Sequence, residues 1–230
     1  AWQYIEKILS KTASDFGFQQ IRFPAFEHTE LFLRGVGGTT DVVQKEMYTF
    51  EDKGGRSITL RPEGTASVVR SVIENGLYAK SLPLKVFYIA PVFRYEKPQA
   101  GRLREHHQFG VEYFGSSSPA SDAEVISLAD TCLRRLGIND ITVSINSIGC
   151  PGCREKYHRA LKEHFGPNME SLCPLCHDRF EKNPLRLLDC KQERCAQIAR
   201  KAPHTLDYLC PECEAHFNAL KKELETLGVN

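Results

Sequence analysis

The chain has one tryptophan and two methionines in 230 residues, and it has no long apolar run. No stretch approaches the roughly 20 apolar residues of a bilayer-spanning helix, so no membrane partner is expected. Neither sign of charge is in excess: 30 Lys and Arg face 29 Asp and Glu, for a formal net charge of +1. A global field that would gather nucleic acid is therefore missing, and any RNA contact has to be local. No signal-peptide pattern opens the chain, and Ala1-Trp2-Gln3 reads as an internal start. Solenoid repeats and low-complexity tracts are also absent. The 41% hydrophobic and 26% charged residues are ordinary for a folded protein. The length allows one large domain or two modest ones.

Periodicity sketches the elements. Residues 2–16 carry apolar side chains at Trp2, Ile5, Ile8, Leu9, Ala13 and Phe16, a helical period that Gly17 stops. Residues 19–23 read as a short strand ended by Pro24, and residues 29–34 as a short helix. Residues 47–51 and 57–60 flank Asp52-Lys53-Gly54-Gly55-Arg56 as a β-hairpin. Thr65 is expected to cap a helix running to Asn75. Residues 85–96 and 106–114 form a second, longer hairpin. Ser121 and Glu124 have the spacing of a capping box, opening a helix that buries Val125, Ile126, Ala129, Leu133 and Leu136. Residues 141–146 read as another strand. Hairpins outnumber helical crossovers, which favours an α+β fold: a mostly antiparallel sheet flanked by helices. Composition changes at Gly149-Cys150, which divides the chain into residues 1–148 and a helical, cysteine-rich module at 149–230.

Residues 93–112, FRYEKPQAGRLREHHQFGVE, concentrate the polar chemistry. Arg94 closes an apolar strand, so a planar fork of donors sits on a rigid element, suited to bidentate grip of a phosphate. Glu96 follows two residues on, expected on the same strand face, and Arg102 lies in the connecting loop. Gln108 and Glu112 are four apart on the returning strand and face one side, with Gly110 between them expected to leave open space. A glutamine and a carboxylate over such a gap can take an ammonium and an imidazole. Glu63 and Thr65 stand in Arg61-Pro62-Glu63-Gly64-Thr65, which closes a strand and starts a helix.

Three blocks in order, GFQQIRFPAFEHTELFLRGVGGTTDVVQKEMYTF, LRPEGTASVVR and FRYEKPQAGRLREHHQFGVEYFG, resemble the first half of a histidyl-tRNA synthetase catalytic domain. The resemblance implies a class II synthetase-type sheet and a histidine–tRNA ligase. Such an enzyme activates histidine with ATP and Mg2+ to histidyl-adenylate, then passes it to tRNA(His). It implies that Arg94 is catalytic, holding the ATP α-phosphate, and that Glu96, Arg102 and His106 are further ATP-site residues, with Arg102 reaching either ATP or the tRNA acceptor end. It implies that Glu63, Thr65, Gln108 and Glu112 hold histidine. It also implies a cytoplasmic homodimer, with Pro24 in the interface block. Two departures stand out: Leu103, Glu105 and His106 replace the family's tyrosine, glutamine and adenine-stacking phenylalanine, and Gly38 replaces a glutamate. The family's Arg-Gly-Leu-Asp-Tyr-Tyr segment, third block and anticodon-binding domain do not occur before Asn230, so the chain is expected to be about half an enzyme.

Eight of the nine cysteines lie between Cys150 and Cys213, as CxxC units Cys150/Cys153, Cys173/Cys176 and Cys210/Cys213 plus Cys190 and Cys195. CxxC turns bring two thiolates to one tetrahedral ion, so structural Zn2+ is expected. The simplest partition takes the first four as one site and the last four as another, with interleaving open. Two other readings compete: a histidine-binding regulatory paralogue without tRNA charging, and a non-catalytic zinc-stabilised RNA-binding module.

Overall fold

The computed structural model describes residues 1–37, 43, 46–97 and 99–229, arranged as two compact units, residues 1–141 with Val229 and residues 142–228. The Gly38 departure lies outside the described residues. In the first unit, α1 (Trp2–Asp15) leads into β1 (Gln19–Gln20) through Gly17, whose φ of 80° only a glycine adopts readily. Next come β2 (Phe26–His28), α2 (Thr29–Phe32), β3 (Thr49–Glu51), β4 (Ser57–Leu60) and α3 (Thr65–Glu74). The long strands β5 (Leu84–Phe93) and β6 (Glu105–Phe114) and the helix α4 (Pro119–Arg135) complete it.

The strands form two three-stranded sheets rather than one, ordered β1-β5-β6 and β2-β4-β3. Three pairings are antiparallel, and β1 with β5 is parallel. The β3–β4 turn closes as its residues require: the Asp52 carboxylate accepts the backbone N–H groups of Gly54 at 2.8 Å and Arg56 at 3.0 Å. Strand β5 buries both faces. Val86, Tyr88 and Ala90 pack with Val68 and Val72 of α3, while Phe87 packs with Ala13, Phe18, Leu128 and Cys132. Two covered faces explain why this segment is nearly continuously apolar. Pro91 is tolerated because β1 covers β5 only at Val86 and Phe87, so the strand is an edge by that point.

Two expectations change. Helix α4 begins at Pro119 with Ser118 as its cap, the Ser118 hydroxyl accepting from Ala120 N–H, so Ser121 is already inside the helix. Its buried stripe is Ala123, Leu128 and Cys132, and Ala129 and Leu133 are exposed. Residues 141–146 form no ladder; Ile141, Val143 and Ile145 are half-buried, alternating with exposed Thr142, Ser144 and Asn146. An extended segment becomes a strand only beside a partner edge, and none pairs with it among the described residues.

The second unit holds α5 (Pro151–Phe165), α6 (Pro174–Lys182), α7 (Glu193–Ala199) and α8 (Pro211–Thr226). Its core joins Tyr157, Leu161 and Phe165 to Leu187, Cys176, Cys190 and Cys195. Among the described residues no helix is long and apolar enough to cross a membrane.

The buried stripe of α4 predicts a contrast. Leu128→Ala, at a side chain 1% exposed, will cost roughly 2–5 kcal/mol, whereas Leu133→Ala, 37% exposed, will cost under about 1 kcal/mol. Denaturant unfolding of the two variants checks it, and equal losses would contradict the packing.

Candidate functional site

The site is built around the turn from Arg61 to Thr65, between β4 and α3. Gly64 is the N-cap residue of α3 and supplies no side chain. The Glu63 carboxylate does the capping, accepting the N–H groups of Thr65 at 2.6 Å and Ala66 at 3.0 Å. A carboxylate at a helix N-terminus also complements the helix dipole. Thr65 is thus the first helical residue and not the cap expected of it. Its hydroxyl is free to donate to Glu112 Oε1 at 2.7 Å.

Gln108, Gly110 and Glu112 share one face of β6, opposite Ala90, Tyr88 and Val86 of β5. Gln108 Oε1 accepts the Gly64 N–H at 3.1 Å, fastening the turn to the sheet. The space over Gly110 is not open, because the Tyr88 ring fills it. A Cβ on Gly110 would lie 2.3 Å from Tyr88 Cζ, and a Cβ on Gly64 would lie equally close. The ring therefore sits between two glycines, one on the sheet and one on the turn. Tyr88 was not singled out from the sequence, where it is one aromatic in an apolar run; its place opposite Gly110 in the hairpin register was the available signal.

This packing sets the electrostatics. Burial pushes the Glu112 carboxyl above its ordinary range, and the nearby Glu63 charge adds to this, against the opposing Thr65 hydrogen bond. Burial first, and then the charges of Glu112 and Glu63, raise the Tyr88 hydroxyl to about 12, with the Thr65 hydrogen bond opposing. Two carboxylates, a neutral phenol and an amide oxygen face one region. What such a set takes is a cation with N–H donors.

Arg94 lies one residue past β5. Its N–H still donates to Arg104 O at 2.9 Å, and its Nε donates to Pro62 O at 2.8 Å. The arginine thus grips the same turn that carries Glu63. Glu96 is not on a strand face, since β5 ends at Phe93; it sits in the loop, with its carboxylate 3.4 Å from Arg102 Nε. Arg102 is exposed. His106 pairs with Val92 on the face that holds Gln108, while the adjacent His107 points to the other face and packs its ring on Trp2 at 4.4 Å.

All eight clustered thiols gather in fours, but not as the simplest partition has them. Cys150, Cys153, Cys210 and Cys213 form one group and Cys173, Cys176, Cys190 and Cys195 the other, each with its sulfurs within 4.8 Å of one another. The groups are nested, with the second set lying within the span of the first. The sequence around them explains the placement. Cys150, Cys173 and Cys210 are each the N-cap of a helix whose first residue is proline, and each CxxC partner lies in the first turn. Cys150 is pulled down to about 7, first by the Cys153 backbone N–H and then by its thiol, whereas burial pushes Cys176 up. Four thiols this close cannot all ionise without a cation. A tetrahedral Zn2+ with bonds of about 2.3 Å needs sulfurs roughly 3.8 Å apart, and Cys150–Cys153 at 3.5 Å and Cys173–Cys190 at 3.9 Å match it. The donor sets fit the ion.

Comparison with known proteins agrees with this architecture. Over 227 residues the chain is 56% identical to a histidine–tRNA ligase of Caldanaerobacter subterraneus subsp. tengcongensis, covering 99% of this chain and 54% of that protein. It is 57% identical to the enzyme of that name from Clostridium novyi, covering 99% and 55%. The apo histidyl-tRNA synthetase of S. aureus superposes over the whole chain and 51% of its own, with a TM-score of 0.78 at 36% identity. The chain therefore spans about half the length of these relatives. This likeness places it among the class II aminoacyl-tRNA synthetases. Within that class it belongs to the histidyl-tRNA synthetase family, whose model matches residues 2–152.

Two outcomes follow from the geometry. Gly110→Ala will force the Tyr88 ring to move and cost about 1–3 kcal/mol, read by denaturant unfolding. Because its carboxyl is raised on folding, Glu112 holds its proton more tightly folded than unfolded, so its contribution to stability falls as pH rises from 4.5 through the folded value. Glu112→Gln will remove that segment of the stability–pH curve, and an unchanged curve would contradict the burial.

Proposed function

We propose that this chain carries the first part of the catalytic domain of a histidine–tRNA ligase, which joins histidine to ATP as histidyl-adenylate and then transfers it to tRNA(His). The observation that supports this most is convergence on one turn. Glu63 caps it, Gln108 accepts from Gly64, Arg94 binds Pro62 O, and Glu112 receives Thr65 from it. A carboxylate pair and an arginine are thereby tied to one turn, as amino-acid activation requires.

In this reading Glu63 and Thr65 take the histidine ammonium, and Glu112 and Gln108 take the imidazole edge. A ligand without that N–H leaves the half-buried Glu112 carboxylate short of a donor, which is the basis of selection. Arg94 holds the α-phosphate while the histidine carboxylate attacks it in line and pyrophosphate leaves, a positioning and electrostatic role. ATP arrives as its Mg2+ complex, with Glu96 at the adenine, His106 beside it and Arg102 closing from the loop. The Glu96–Arg102 pair then has to open for ATP. Residues 149–230 are the cysteine-rich insertion module, each of its two thiol sets holding a structural Zn2+. Four thiolates leave that ion no open position, so it supplies folding energy and not chemistry. In this reading the protein works as a cytoplasmic homodimer, by analogy with the family.

Histidine-dependent ATP–pyrophosphate exchange and tRNA charging test the reading. The full natural chain that carries this sequence will do both, and residues 1–230 alone will be weak or inactive in exchange. Arg94→Ala will lower exchange about 10²–10³-fold. Binding of histidine without charging would favour a regulatory paralogue. Tight RNA binding with no affinity for histidine or ATP would favour a zinc-stabilised RNA-binding module. Elemental analysis of reduced protein will find two zinc ions per chain, one of them lost in Cys176→Ser and one in Cys213→Ser.

A further inference from the structure

Arg61 has no place in the scheme above, yet it is 7% exposed and holds three segments together. Its Nε donates to Pro91 O of β5 at 2.7 Å. Its Nη1 donates to Phe23 O at 2.9 Å and Pro24 O at 3.0 Å, in the link between β1 and β2. The guanidinium lies 5.2 Å from the centre of the Phe23 ring. Backbone bonds extend the tie: Arg61 N–H donates to Ala25 O, and Arg61 O accepts from Phe93 N–H, both at 3.0 Å. All of these partners are carbonyls, one amide and one ring; no carboxylate is among them.

A buried guanidinium without a counter-ion is costly, and carbonyl hydrogen bonds offset that cost only if its fork reaches several at once. Here the fork spans two segments distant in sequence. A lysine has the charge but one point of attachment, and a methionine has the volume but no donor. If burial were the only requirement, an apolar residue would suffice, as neutral replacements of buried charges often show.

The position of Arg61 gives it a second consequence. It is the first residue of the turn whose next members are Pro62, Glu63 and Gly64. Arg94 binds that turn at Pro62 O and Gln108 binds it at Gly64 N–H. Residues Arg94 and Gln108 therefore hold the far side of the turn, and among the described residues it is Arg61 that fixes its near end to β5 and to the Phe23–Pro24 link. We propose that Arg61 is a positioning residue that sets Glu63 and Arg94 at one distance, so that the amino acid and the phosphate it is to meet are held in register. The inference rests on the ligase reading for its substrates, though not for its geometry.

The test uses Arg61→Lys and Arg61→Met in the full natural chain, measured well below the melting temperature of each. The amide protons of Thr65 and Ala66, which Glu63 caps, will exchange faster in both variants. The KM for histidine will rise and the kcat of ATP–pyrophosphate exchange will fall, together by roughly 10–100-fold in kcat/KM, as about 1 Å of misplacement does. Lysine will recover part of what methionine loses. A lower melting temperature with unchanged KM, kcat and amide exchange would reduce Arg61 to a fold-stabilising residue and overturn the proposal. Should Arg61→Met fail to fold, Arg61→Lys decides alone. Failure of the ligase reading shows separately, as absence of exchange activity in the unsubstituted chain, and the Thr65 and Ala66 amides still report on the turn.

Discussion

The placement of one aromatic ring governs the candidate site. Tyr88 stands on the face of β5 that meets α3, and its ring lies flush against Gly64 and Gly110. Any side chain at either glycine would enter the ring. With both absent, the turn closes onto the sheet near enough for Gln108 to accept from Gly64 and for Thr65 to donate to Glu112. The ring also removes water from beside Glu112, which is why that carboxyl holds its proton more tightly than usual. Packing and electrostatics here have a single cause.

Net charge conceals the chemistry. The chain is close to neutral, yet its charges are sorted locally. Glu63 and Glu112 lie near the Tyr88 hydroxyl, while Arg61 and Arg94 bind backbone carbonyls at the two ends of the turn. Arg94 and Arg61 use their fixed forks on backbone carbonyls, with different donors left for other partners. Such an arrangement does not depend on long-range fields, and screening by salt weakens it little where it is buried.

Much of this was legible in the sequence. The β5–β6 hairpin, the gathering of polar residues along it and the metal-like spacing of the cysteines all follow from periodicity and short motifs. What was not legible depended on the third dimension. Glu63 replaces Thr65 as the cap because a carboxylate one residue before the N-cap glycine reaches two N–H groups, while the hydroxyl has a better acceptor across the sheet. The stripe on α4 follows Leu128 and Cys132 because they meet Phe87, and periodicity alone cannot choose between adjacent stripes. Glu96 lost its strand because β5 stops at Phe93. Residues 141–146 have a strand's alternation without a neighbour to bond among the described residues. Arg61 and Tyr88 escaped notice because a buried role leaves no motif.

Nesting of the thiol sets has a consequence for the order in which the second unit is made. A chain leaves the ribosome from its N-terminus, so the thiols Cys173, Cys176, Cys190 and Cys195 are complete as a set as soon as Cys195 has emerged. The set of Cys150 and Cys153 must wait for Cys210 and Cys213. The inner sulfurs belong to the same core as Leu161, Phe165 and Leu187, so closing them assembles apolar residues that precede Cys195. The outer set then joins the start of α5 to the start of α8, the last of these four helices to be synthesised. Vectorial synthesis thus presents the two sets one after the other, the interior before the seal.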